Sequence, residues 1–142
     1  MIITCVTNEV FPDVSADSLP KIFGRAADQG ITSFELRLVE GKRFPMFEGD
    51  AFARLREHSK AHNINYTAMS PGLFKVPLKS EMTALHSDYL LPMSLDLADQ
   101  MGIKTLIVFG PTRAEPPIKG EFEEVVALIK NAVEIIRILM QK

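Results

Sequence analysis

Four times along the chain, a short run of β-branched and aliphatic residues gives way to a longer stretch whose apolar residues recur at helical spacing. This alternation constrains the fold more than any other feature, because parallel strands joined by helix-length crossovers are its simplest solution. The first run covers 2–6 and ends at Asn8, Glu9 and Pro12. A helix follows, capped by Asp17 or Ser18, with Pro20 in its first turn. Leu19, Ile22, Phe23 and Ala26 form its inner stripe, and Gly30 closes it. The second run, 31–39, alternates: Thr32, Phe34, Leu36 and Leu38 point one way, and Ser33, Glu35 and Arg37 the other.

The remaining units repeat the scheme. A second helix runs from Asp50 to about His62, with Phe52, Leu55 and Ser59 inward. The third strand, 65–72, is expected to stop at Pro71 and Gly72, since proline cannot donate to a ladder. After a long connection, Ser87 or Asp88 opens a third helix that holds Pro92 in or near its first turn. Leu91, Leu95, Ala98 and Met101 line its inner face, and Gly102 ends it. The fourth strand, 103–110, is almost wholly apolar, as for a parallel strand covered on both faces. The last helix starts near Glu121 and carries Phe122, Val125, Val126, Ile129, Val133, Ile136 and Met140 on one stripe. Leu128, Ala132, Ile135, Ile138 and Leu139 form a second stripe, so a neighbour is expected on it, either further strand–helix units or another subunit.

The 142 residues are 46% hydrophobic, enough for a single domain over 1–142 with one core. A net charge of −2 supplies no excess of cations for a phosphate backbone, so nucleic acid is not an expected partner. Cys5 is the only cysteine, which excludes an internal disulfide and a cysteine-based zinc cluster and fits a reduced cytoplasm. No stretch reaches the ~18 apolar residues of a membrane span, and the N-terminus lacks the basic region of a leader, so no membrane association is expected.

At ITSFELRLVEGKRFP, TAMSPGLFKVPL and TLIVFGPTR the chain resembles the sugar phosphate isomerase/epimerase group of the xylose-isomerase-like TIM barrels, a superfamily that also includes endonuclease IV-type apurinic enzymes. The likeness extends over essentially all of the sequence. It implies an α/β fold in which these four units are the parallel (β/α)4 N-terminal half of a TIM-type (β/α)8 barrel, whose complete form takes about 250 residues. It also implies proton transfer between neighbouring carbons of a small anionic sugar or hydroxy-carbonyl substrate, assisted by a divalent metal in full-length members. The family's metal is held mainly by carboxylates and a histidine from the second half, so no metal ligand is assigned in this chain. The fourth strand ends in Phe109, Gly110 and Pro111, where relatives often place a histidine.

Ligands of parallel α/β folds bind at the carboxyl ends of strands. Lys42 and Arg43 follow the second strand, Lys75 and Lys79 the third, and Arg113 and Lys119 the fourth, six of the 16 Lys and Arg. Arg37, Lys42, Arg43, Lys75 and Arg113 are candidate substrate contacts, a guanidinium offering a planar fork and an ammonium a point charge; plain solvation is the alternative for each. Glu35 is the candidate catalytic acid/base group, sharing the polar face of its strand with Arg37; an ion pair that only fills space is the other reading. Ser70 touches substrate or caps the turn that follows it, and Asn8 and Glu9 stand at the first strand end or cap its loop. His58 and His62 have i,i+4 spacing but lack the glutamate of a zinc-protease motif and lie on an outer helix. His86, in the long connection after the third strand, either reaches the site or, as is commoner, is an exposed loop histidine. Phe44, Phe47, Phe74 and Phe109 either stack on a sugar or pack in the core.

Two rivals remain open. A non-catalytic half-barrel module would self-associate through its open sheet edges and last helix, because unpaired strand edges invite association. An abasic-site endonuclease is disfavoured by the acidic charge balance. An open flavodoxin-type sheet is a fold alternative, opposed by the lack of a glycine-rich loop after the first strand.

Overall fold

The structure is a computed structural model and describes residues 5–6, 18–39, 41–46, 49–112 and 118–139. Along the chain come β1 (Cys5–Val6), α1 (Leu19–Asp28), β2 (Ser33–Leu36), β3 (Leu38–Val39), β4 (Lys42–Arg43), α2 (Ala51–Ala61) and β5 (Asn65–Leu73). Then follow α3 (Glu81–Leu85), a π-helical turn (His86–Leu90), α4 (Leu91–Gln100), β6 (Leu106–Val108) and α5 (Glu121–Leu139). The main sheet has the order β1-β2-β5-β6. β1 pairs with β2, and β2 with β5, in parallel, so the fold is α/β with a parallel sheet. None of the described helices is long and apolar enough to cross a membrane.

The chain divides into two compact units, Met1–Pro71 with Leu97–Ile107, and Gly72–Asp96 with Val108–Lys142. The core of the first arises where the sequence periodicities converge. Leu19, Ile22, Phe23 and Ala26 of α1 and Ala51 and Leu55 of α2 are buried with Phe34 and Leu36 of β2 and Tyr66 and Met69 of β5. Phe23 meets Phe34 edge-on at 5.4 Å between ring centroids, a favoured aromatic arrangement. Ser18 stands at the cap of α1 without a side-chain hydrogen bond to it, while Asp17 lies outside the described residues. In the second unit, Leu73, Phe74, Leu91 and Ala132 are buried along with His86, Ser87, Ser94 and Glu121.

Four elements differ from the periodicity reading. The second strand breaks at Arg37: Leu38–Val39 turns away from β2 and pairs antiparallel with Lys42–Arg43 as a hairpin. β5 does not stop at Pro71 but runs through Gly72 to Leu73. Met69 N–H donates to Thr105 and Phe109 N–H to Leu73. A regular parallel ladder would bring the Phe109 donor to Pro71, so β5 takes two additional residues here. The third helix begins at Glu81 rather than Ser87, and Pro92 falls well inside a continuous helical run. The π-helical turn immediately before it accommodates the ring and its missing N–H, as such turns do. Finally, β6 is half-exposed along Leu106, Ile107 and Val108 instead of covered on both faces, and among the described residues it stands at an edge of the sheet.

Candidate functional site

The carboxyl end of β2 is built by two irregularities. Between Phe34 and Glu35 the register with β5 slips: Phe34 faces Tyr66, but Glu35 faces Ala68. Thr67 is the additional residue, and its hydroxyl donates to the Phe34 carbonyl at 3.3 Å. Phe34 and Leu36 stay fully buried, while Glu35 is half-buried. Beyond Leu36, the Arg37 carbonyl accepts the Phe44 N–H at 3.0 Å, which closes the β3–β4 hairpin. Gly41 supplies the left-handed turn residue with φ 73°.

This hairpin returns the chain to the end of β5. Arg43 Nη1 donates to the Ser70 carbonyl at 3.3 Å, and the next residue, Phe44, is fully buried. The guanidinium is therefore held by its hydrogen bond, and the backbone beside it is anchored by Phe44. Among the described residues this is its only side-chain hydrogen bond, so its other N–H groups remain available for a ligand. Arg43 and Arg37 are half-buried and Lys42 is exposed. Among the described residues, Arg37, Lys42, Arg43 and Glu35 share this strand end and hairpin.

The structure brings Glu35, Arg37, Lys42, Arg43 and Ser70 into one unit. Ser70 engages Arg43 through its backbone, and its side chain is buried within β5 rather than in a turn. Which backbone carbonyl meets a guanidinium leaves no trace in residue types, so spacing alone does not reveal this contact. Lys75 belongs to the other unit, where its ammonium lies 5.4 Å from the Phe109 ring centroid as a cation–π contact. Lys79 pairs with Glu124 at 3.1 Å on an exposed surface, and Lys119 is exposed ahead of α5. Arg113, Asn8, Glu9 and Phe47 lie outside the described residues.

Two of the histidines, His62 and His86, have packing roles. His86 is buried, not exposed in a loop. Its Nδ1 accepts the Phe74 N–H at 2.8 Å, which explains how Phe74 tolerates φ 59°, an unusual value for a residue with a side chain. Burial holds its pKa below the usual histidine value. His62 packs close to Gly24, its Cε1 3.6 Å from where a β-carbon on that glycine would stand. Phe44 and Phe74 are core residues. Among the described residues no three His, Cys, Asp or Glu side chains gather as a metal site needs. No family model matches the chain, and no curated protein matches it.

Proposed function

We propose that the four strand–helix units are a half of a (β/α)8-type barrel and that the carboxyl end of β2 and β5 binds a small anionic, sugar-like molecule. A sugar phosphate or a hydroxy acid has the required chemistry. Arg43 would clamp the anionic group, Arg37 and Lys42 would add to the attracting field, and Glu35 would accept a hydroxyl or move a proton on the carbon skeleton, as an isomerase or epimerase requires. The observation that carries this reading is the half-buried Arg43 guanidinium, pinned at the Ser70 carbonyl with donors to spare. A cation that served only solubility would gain nothing from being fixed at a strand end.

Titration of the chain with inorganic phosphate, a pentose phosphate and glycolate, followed by amide chemical shifts, tests the proposal. Binding should perturb the amides around Arg43 and Ser70. Arg43→Ala should weaken it by roughly tenfold to a hundredfold, the worth of a charge-assisted hydrogen bond. Glu35→Gln should leave phosphate binding intact but weaken the pentose phosphate. Affinity indifferent to Arg43 would sink the assignment.

A further inference from the structure

Helix α5 is exceptional in how little of it is covered. Among its described side chains only Glu121 and Ala132 are buried. Phe122, Val126, Ile129, Val133 and Ile136 follow one another at intervals of four, three, four and three residues, which is the seam spacing of a coiled coil. Phe122 is 66% exposed and Val133 42%, while Val126, Ile129 and Ile136 are half-buried. A seam of this regularity with Phe122 and Val133 left in water is unusual on a helix that packs only against its own fold.

We infer that α5 pairs antiparallel with α5 of a second copy of this chain across a two-fold axis. The charges beside the seam select this occupant and this direction. Glu123, Lys130 and Arg137 recur every seven residues along one flank, and all three are exposed. When two copies run antiparallel with Val126 against the partner's Ile136 and Ile129 against the partner's Val133, Glu123 meets the partner's Arg137. The two-fold forms that pair twice. The other flank holds Val125, Ala132 and Leu139, so a parallel pairing, which sets one flank against the other, forms no ion pair. Antiparallel helices also oppose their dipoles favourably. Lys130 faces its own copy at the axis, the one like-charge contact. Arg137 currently meets Glu134 at 3.5 Å in an exposed pair, which costs little to exchange.

The apolar seam supplies the affinity and the flank supplies the register. A helix of 19 residues is roughly 28 Å long. Its seam alone is short of the standard interface, so a micromolar dimer is expected. The inference is independent of the ligand reading, since α5 belongs to the unit that does not contain Arg43.

Sedimentation of the whole chain over micromolar concentrations at low salt is the test. The wild type should dimerise. Glu123→Arg and Arg137→Glu, both substitutions at exposed positions, should each weaken dimerisation by roughly tenfold, because each places like charges together twice. An equimolar mixture of the two variants should form a heterodimer about as tight as the wild-type dimer, since both of its 123–137 flank pairs are again attractive and the Lys130 contact is unchanged. Val133→Lys, with circular dichroism unchanged, should be monomeric. A monomeric wild type, which would assign the seam to a different partner, overturns the inference. So does a dimer unaffected by the single charge reversals or by mixing them.

Discussion

Tyr66 shows how a single polar atom in the core is made tolerable. Its hydroxyl lies 2.7 Å from Ser59 Oγ, which also donates to the Leu55 carbonyl at 2.5 Å, the usual back-bond of a helical serine. Burial pushes the phenol pKa far above its ordinary value, so the group stays neutral and needs only this partner. Ser59→Ala would leave the hydroxyl unpaired and should cost about 1–3 kcal/mol in urea denaturation, the price of a buried unsatisfied group. Tyr66→Phe should cost less, and the double variant should be more stable than the sum of the two losses implies. Strict additivity would show that Tyr66 has another partner. The inward placement of Ser59 follows from its spacing with Phe52 and Leu55, and so was legible. The partnership with Tyr66 was not. Beyond Tyr66, Thr67 adds a residue to β5 and shifts the alternation by one, so Met69 is buried and Ala68 is only half-buried. A period of two contains no information about where it will slip.

Among the elements, the departures from simple periodicity all sit where backbone chemistry overrides side-chain pattern. Alternation through Leu38 suggested one long second strand, but Gly41 allows a tight return, and the buried Phe44 draws the chain back. The local hairpin then satisfies backbone groups that β5 would otherwise have had to pair. Proline is costly inside an α-helix, which by sequence alone places Pro92 in or near a first turn, and the π-helical turn circumvents that rule. Pro71 and Gly72 looked like a stop, and instead they form the irregular step of β5. Gly72 adopts φ 78° within that step, where an L side chain crowds the carbonyl that follows. Gly72→Ala should therefore destabilise the chain by about 1–2 kcal/mol. Thermal unfolding of this variant beside Gly120→Ala, at φ 92° but outside any strand, separates the two contributions. Equal losses would mean that only the backbone angle matters. A larger loss at Gly72 would show that β5 also depends on close approach there.

For the whole molecule, the four repeated units were plain in the sequence because each is a local pattern, whereas the division into two compact units depends on which segments bury one another. No count of periods predicts that outcome. The first unit has a continuous core in which α1, α2, β2 and β5 each contribute fully buried side chains, and Phe23 touches both Phe34 and Tyr66, the latter at 6.5 Å between centroids. The second unit buries Leu73, Phe74 and Leu91, but its longest helix, α5, leaves Phe122, Val133 and Ile138 largely in water. Local opening follows buried apolar contact, so protection should be unequal. In dilute solution, amide hydrogen exchange read by mass spectrometry should be slowest in α1, β2 and the first half of β5. It should be markedly faster in α5, despite the length of that helix. The difference is one of tertiary cover, which supplies most helical stability in proteins. Raising the protein concentration should slow exchange in α5 selectively, because the partner's α5 would supply the missing cover, and leave α1 and β2 unchanged. If α5 were already as protected as β2 in dilute solution, its exposed seam would contribute nothing to local opening, and the link drawn between burial and stability in this unit would fail.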